Sequence, residues 1–197
     1  KELVARGYKA VTSDGVRSSL ANAQRNLGFP PRFVAHVGQA NFVEAGSELG
    51  RFLLNSTLGV AGLFDPATEA GLGKYDADLG MMFARWHVPP GPYLVLPVLG
   101  PSNPRDAVGD LLGMAMNPLL YTGTTVAPVG VLFAINTRAQ ADDQIRNARA
   151  SALDYYVFVR DAFVQHRTAR IRGEYVTRGD TLDASSHVMA DELYEVE

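Results

Sequence analysis

The chain of 197 residues is long enough for one compact domain with a sizeable core. Its 47% apolar and 20% charged residues exclude wholesale disorder, and 30 glycines and prolines exclude a simple coiled coil. A net charge of −3 excludes a nucleic-acid binder that relies on a dominant positive field, and the lack of cysteine excludes disulfides, thiol nucleophiles and thiolate metal sites within these residues.

The chain begins at Lys1 rather than Met, which leaves a leader or anchor open. Residues 1–12 read as a helix already under way. Ser13 caps a second helix running to Leu27 and stopped by Gly28. Pro30-Pro31 open a third, ending near Gly38. From Asn41 to about Leu58 the period is clearest. Phe42, Ala45, Leu49, Phe52 and Leu53 form an apolar stripe expected to pack inward, and Glu44, Glu48, Arg51 and Asn55 form a polar face on which Glu48 and Arg51 can pair. Beyond Asn55, Leu58, Val60, Leu63 and Phe64 make the pattern apolar all round, as in a segment that leaves water on every side. Gly46-x-x-x-Gly50 and Gly109-x-x-x-Gly113 permit close helix approach, in soluble cores as well as in membranes.

Asp65-Pro66 starts a short helix through Ala70, and Asp76–Trp86 is another. Between Val88 and Asn103 lies VPPGPYLVLPVLGPSN, whose centre is β-prone. Its prolines at 89, 90, 92, 97 and 101 are expected to forbid regular sheet pairing and leave a stiff loop or irregular hairpin. Asn103 caps the next helix, with Asp106 near the positive end of its dipole. A longer helix covers about Val129–Ala150, and Asp154 caps the last, from Tyr155 to about Arg172. The coarse reading is nearly all-α.

Charge is unevenly distributed. Residues 173–197 carry seven acids and one base and read as an acidic, mostly flexible tail, with a helical turn near Met189–Tyr194. Residues 86–137 contain only Arg105, Asp106 and Asp110, and residues 111–137 contain no charge. That run is long enough to span a bilayer, but Asn117-Pro118, Gly123, Pro128 and Gly130 interrupt it and argue against an ordinary transmembrane helix. It is either the deep core of a soluble domain or a surface lying against lipid.

Several long motifs resemble the MlaA (VacJ) family. They are Arg51-Phe-Leu-Leu-Asn-Ser-Thr-Leu-Gly59, Gly62-Leu-Phe-Asp-Pro66, Val88-Pro-Pro-Gly-Pro-Tyr-Leu-Val-Leu-Pro97, and Leu99-Gly-Pro-Ser102 followed by Arg105-Asp106. Thr137-Arg-Ala-Gln140, Leu153-Asp-Tyr-Tyr-Val-Phe-Val-Arg160 and the early Arg6-Gly-Tyr-Lys-Ala-Val11 also fit, in the expected order from about residue 4 to 172. The resemblance implies a Gram-negative outer-membrane lipoprotein built as a ring-shaped helical bundle lying in the inner, periplasmic leaflet. It further implies passage of stray outer-leaflet phospholipids through a central channel to a soluble periplasmic carrier, MlaC, and association with trimeric porins. No cofactor or metal is implied. Residues 1–172 would form the helical domain. The lipobox cysteine that would carry the anchor is not among these residues, and His87 and Tyr155 stand where the family usually has glycine and proline.

A lipid path needs an apolar exterior and a polar lumen for the headgroup. Candidate channel residues are Arg105, Asp106, Asp110 and Arg138, the ionisable groups in or bordering the uncharged middle. The bland reading makes Arg105 and Asp106 a helix-start pair. Pro92, Tyr93, Leu94, Val95, Leu96 and Pro97 form a candidate lipid-contacting gate, against a rigid core plug. Arg160, Arg167, Arg170 and Arg172 face anionic headgroups or form a solvated helix end. The four histidines lack metal-ligand spacing, and GxSxG, P-loop and GxGxxG motifs are missing. Three readings follow: a lipid-translocating component without covalent chemistry, a porin-binding helical adaptor that moves no lipid, and, least supported, a lipid hydrolase.

Overall fold

The computed structural model describes residues 8, 10–96, 100–121, 129–137, 139 and 154–173. Tyr8, Ala10 and Val11 are helical, the described end of the expected first helix. Helix α1 (Asp14–Leu27) begins where Ser13 accepts from the Val16 amide, and α2 (Phe29–Gly38) begins on Pro30-Pro31. Helix α3 (Phe42–Thr57) follows a turn at Gln39–Asn41, and α4 (Pro66–Glu69) is capped by Asp65, whose carboxylate accepts from the Thr68 amide. Helix α5 (Leu79–Arg85) starts three residues later than expected. The cap is Asp78, which accepts from the Met81 amide at 2.9 Å, while Asp76 is drawn aside to Arg25 at 2.5 Å.

Strands β1 (Leu94–Leu96) and β2 (Gly100–Ser102) pair antiparallel, with Leu94, Val95 and Leu96 opposite Ser102, Pro101 and Gly100. Of the two alternatives expected, a stiff loop or an irregular hairpin, the structure shows a hairpin, and it corrects the expectation that the prolines forbid regular pairing. A two-stranded ladder leaves each strand one free edge, and Pro101 can turn its missing donor to that edge. The fold is therefore mostly helical with one small hairpin. Helix α6 (Pro104–Ala115) is capped by Asn103, a 3₁₀ turn spans Pro118–Tyr121, and residues 129–137 are helical. Helix α7 (Tyr155–Arg172) runs from its Asp154 cap to a left-handed Gly173. The remainder of the expected helix to Ala150, and the acidic tail with its turn near Met189–Tyr194, lie outside the described residues.

Helix α2 packs on α3 and α5, and α5 packs on α6. The α5–α6 crossing is close because Gly109 meets Gly80. A Cβ on Gly109 would overlap the Gly80 backbone. Gly46, by contrast, has nothing within 4 Å, so Gly46-x-x-x-Gly50 does not mark a helix contact here. The apolar core is small: Ala35, Ala77, Leu79 and Met82, with Phe83 against it.

Among the described residues, the buried apolar set comprises ten side chains, six of them alanine, whereas eleven polar or charged side chains are buried. Helix α3 shows why. Its inward face is Ala45, Glu48, Arg51 and Asn55, and its outward face carries Phe42, Val43, Leu49 and Leu53. The expected orientation is overturned in part: Phe42, Leu49 and Leu53 of the apolar stripe are exposed while Glu48, Arg51 and Asn55 of the polar face are packed, and of that stripe Ala45 is buried and Phe52 half-buried against Phe29. Glu48 and Arg51 do not pair with each other but with arginines and an aspartate of neighbouring segments. Periodicity fixes two faces of a helix, not which one meets the protein. Leu58, Val60 and Phe64 are likewise exposed. The charge-poor middle follows the same rule, with Val95, Val108, Leu111, Leu112, Leu120, Tyr121 and Val131 all exposed. Among the described residues, no helix is long and apolar enough to cross a membrane.

Candidate functional site

Three ionic clusters fill the interior. In the first, Glu48, 2% exposed, accepts from Arg25 Nη2 at 3.0 Å and Arg32 Nε at 2.9 Å. Arg32 also donates to the Arg25 carbonyl at 2.6 Å, and Arg25 reaches Asp76. The space left among these side chains is about 10 Å³, room for roughly one water. In the second cluster Arg51 donates to Asp65 Oδ1 at 2.6 Å and to the Leu72 carbonyl at 2.6 Å. Burial alone would raise the Asp65 carboxyl. Hydrogen bonds from Lys74, Thr68 and Asn55, with the charge of Arg51, outweigh it and hold the group at about 2.

The third cluster joins α5, α6 and α7. Arg167 grips Asp78 with two parallel hydrogen bonds of 2.6 Å and reaches Asp106 Oδ1 at 2.9 Å. Asp106 also accepts from Arg105 Nε at 2.9 Å and Asn103 Nδ2 at 2.7 Å. Burial lowers the Arg167 pKa and raises those of Asp78 and Asp106, but their mutual bonds win and all three stay charged. Arg105 further donates to the Val88 carbonyl at 3.4 Å, which ties this cluster to the base of the proline loop.

Of the expected site residues, Arg105 and Asp106 are thus brought together, buried and fully partnered. Asp110 lies one turn further along α6 and is exposed. Desolvation, then the Asp78 and Asp106 carboxylates, raise its pKa against the opposing arginines. Arg138 and Pro97 lie outside the described residues. Pro92, Leu94 and Val95 are exposed, and Leu96 is half-buried. Tyr93 is wedged against Tyr156 and Phe163 of α7, with ring centroids 5.9 and 5.8 Å apart. The hairpin is therefore held at its base by aromatic packing, with Leu94 and Val95 of its first strand exposed. On α7, Arg167 faces the interior rather than headgroups, Arg160 pairs with Asp161 at the surface, and Arg170 lies 3.4 Å from Asp78. The sequence reading missed Glu48, Arg51, Asp65 and Asp78 as interior anchors. The signal was present in Glu48, Arg51 and Asn55, which recur at helical spacing.

The sequence model of the MlaA lipoprotein family matches residues 2–170. The chain belongs to this family. MlaA proteins are non-enzymatic transport lipoproteins, so the hydrolase reading is set aside. The chain is 34% identical over 169 residues to an uncharacterized protein of Rickettsia felis, covering 84% of this chain and 67% of the relative. It thus spans about two thirds of that relative's length. It is 28% identical over 203 residues to the intermembrane phospholipid transport system lipoprotein MlaA of Escherichia coli, covering 98% of this chain and 78% of that protein. A solved structure described as the structural basis for maintenance of bacterial outer membrane lipid asymmetry superposes with a TM-score of 0.75 at 29% identity, covering 86% of this chain and 87% of that one. Within the MlaA frame, the position at which the family resemblance expects glycine is His87, and its φ is 63°. That left-handed backbone suits glycine and strains a side chain, so this chain carries extra strain at the foot of its proline loop.

Proposed function

We propose that this chain is a non-enzymatic outer-membrane component that passes mislocalised phospholipids from the outer leaflet through a central channel towards an MlaC-like periplasmic carrier. It would lie as a ring of helices in the periplasmic leaflet, maintaining lipid asymmetry beside a trimeric porin. One observation supports this above the rest: the apolar faces are outside and the ionic side chains inside. Thirty-one large apolar residues are exposed among the described residues. Such a surface is stable against acyl chains or an apolar partner, not against water. The Arg105–Asp106–Arg167 cluster would brace the channel wall. Asp110, exposed and reluctant to ionise, and Arg138 would face the path, and residues 92–97 would meet lipid at the gate.

The test is expression of the full-length lipoprotein in a Gram-negative strain lacking its own MlaA. Outer-leaflet phospholipid should fall towards the parental level. A stable porin complex with outer-leaflet phospholipid left unchanged would overturn transport in favour of the adaptor reading.

A further inference from the structure

A cleft of about 490 Å³ opens where α2 ends, α3 begins and α7 ends, away from the hairpin and bordering the ionic clusters at Lys74, Asp76 and Arg170, the last 3.4 Å from Asp78. That volume suits a small ligand or a lipid headgroup. Lys74, Arg85, Arg170 and Arg172 line it against Glu44 and Asp76, a surplus of two positive charges. Asp76 is already engaged by Arg25, and Lys74 reaches Asp65 at 2.7 Å. Glu44 and Arg85 have no hydrogen bond or ion pair among the described residues, which leaves one carboxylate and one guanidinium open to a ligand. The wall includes His36, only 3% exposed, whose ring nitrogens are buried beside the Tyr75 backbone. Burial lowers its pKa, so at neutral pH the ring offers one N–H donor and one acceptor.

We propose that this cleft holds a zwitterionic phosphodiester headgroup, its phosphate against Arg85 and Arg170 and its ammonium at Glu44. The inference rests on the transport reading and adds a ligand chemistry to it. A phosphodiester carries one negative charge and suits guanidinium donors. A headgroup with only that charge would leave Glu44 unmet beside it, whereas an amine-bearing headgroup satisfies both signs.

The test presents the full-length protein, in mixed micelles, with equal amounts of phosphatidylethanolamine and phosphatidylglycerol, and reads bound lipid by native mass spectrometry. Phosphatidylethanolamine should be retained about fivefold over phosphatidylglycerol, the scale of one charge-assisted contact. Glu44→Gln should bring the ratio close to parity, and Arg85→Gln should lower retention of both lipids. Among the described residues neither side chain makes a hydrogen bond or ion pair, and circular dichroism checks that both variants remain helical. Soluble glycerophosphoethanolamine should displace bound lipid, and inorganic phosphate should not. Equal retention of the two lipids, an unchanged ratio in Glu44→Gln, or displacement by inorganic phosphate alone overturns the headgroup site. Absence of lipid from every sample instead removes the transport reading on which it rests.

Discussion

Glu48→Leu separates a charged interior from a conventional one. The wild-type carboxylate is 2% exposed and accepts from Arg25 at 3.0 Å and Arg32 at 2.9 Å. Leucine removes both acceptors and leaves two guanidiniums facing apolar atoms. Deleting one partner of a buried ion pair costs about 3–5 kcal/mol. Arg25 keeps Asp76, and both arginines are partly solvated, which points to the lower end, about 3 kcal/mol. On the opposite face of the same helix, Leu53 is 54% exposed. Leu53→Ser can lose from the folded state only roughly half of the ~1.5–3 kcal/mol that full leucine burial supplies, about 1 kcal/mol. The assay is denaturant unfolding of the full-length protein in a nonionic detergent, followed by circular dichroism, with liposome flotation alongside. Glu48→Leu should lower the unfolding midpoint strongly while leaving flotation intact, and Leu53→Ser should do the reverse. A stable Glu48→Leu protein beside a collapsed Leu53→Ser protein would refute the inverted orientation of α3.

Four further outcomes are expected. Leu94→Asp places a charge on the exposed hairpin strand and should leave more phospholipid in the outer leaflet of complemented cells than wild type; wild-type levels would remove the hairpin from the lipid path. Asp110→Asn removes a carboxylate whose ionisation the fold already disfavours, so transport should change while the melting temperature holds or rises; a collapse in melting temperature would make the residue structural. Gly109→Ala drives a Cβ into the Gly80 backbone and should cost about 1–3 kcal/mol or more by overpacking, read as a lower unfolding midpoint than that of Gly46→Ala, where space is open. Because the Asp65 carboxyl is held at about 2, below its unfolded value, its contribution is complete above the ordinary carboxylate range and lost as pH falls towards 2; Asp65→Asn should flatten that part of the acid unfolding curve, and an identical acid limb would refute the assignment.

Helix starts were legible because capping is local chemistry. Ser13, Asp65, Asn103 and Asp154 each satisfy amides within three residues, and each caps the expected helix. Facing was not legible. The stripe Phe42, Leu49, Leu53 and the stripe Glu48, Arg51, Asn55 are equally regular, and nothing along the chain states which one meets the protein. In water the first would turn inward. The charge-poor stretch 86–137 was the one clue to this facing, and its exposed Leu111, Leu120 and Tyr121 weigh against the core reading of it. Arg167 was illegible for another reason. Its partners Asp78 and Asp106 lie 89 and 61 residues away, beyond any local pattern.

Three of the carboxylates in these clusters share a placement. Asp65 and Asp78 cap α4 and α5, and Asp106 lies in the first turn of α6. A carboxylate at a helix start is stabilised by the amides and the dipole before any arginine arrives, which reduces the cost of keeping it ionised away from water. Arginines from other segments then use these pre-stabilised anions as fixed points, so the second and third clusters each lock a helix start to a distant element, whereas Glu48 anchors the first from within α3. The proline hairpin is attached to this framework twice, through Arg105 at Val88 and through Tyr93 against Tyr156 and Phe163. Its apolar Leu94 and Val95 have no comparable tether. Displacing the hairpin would therefore break the aromatic wedge on α7 together with the packing of β2 on that helix, where Ser102 is buried.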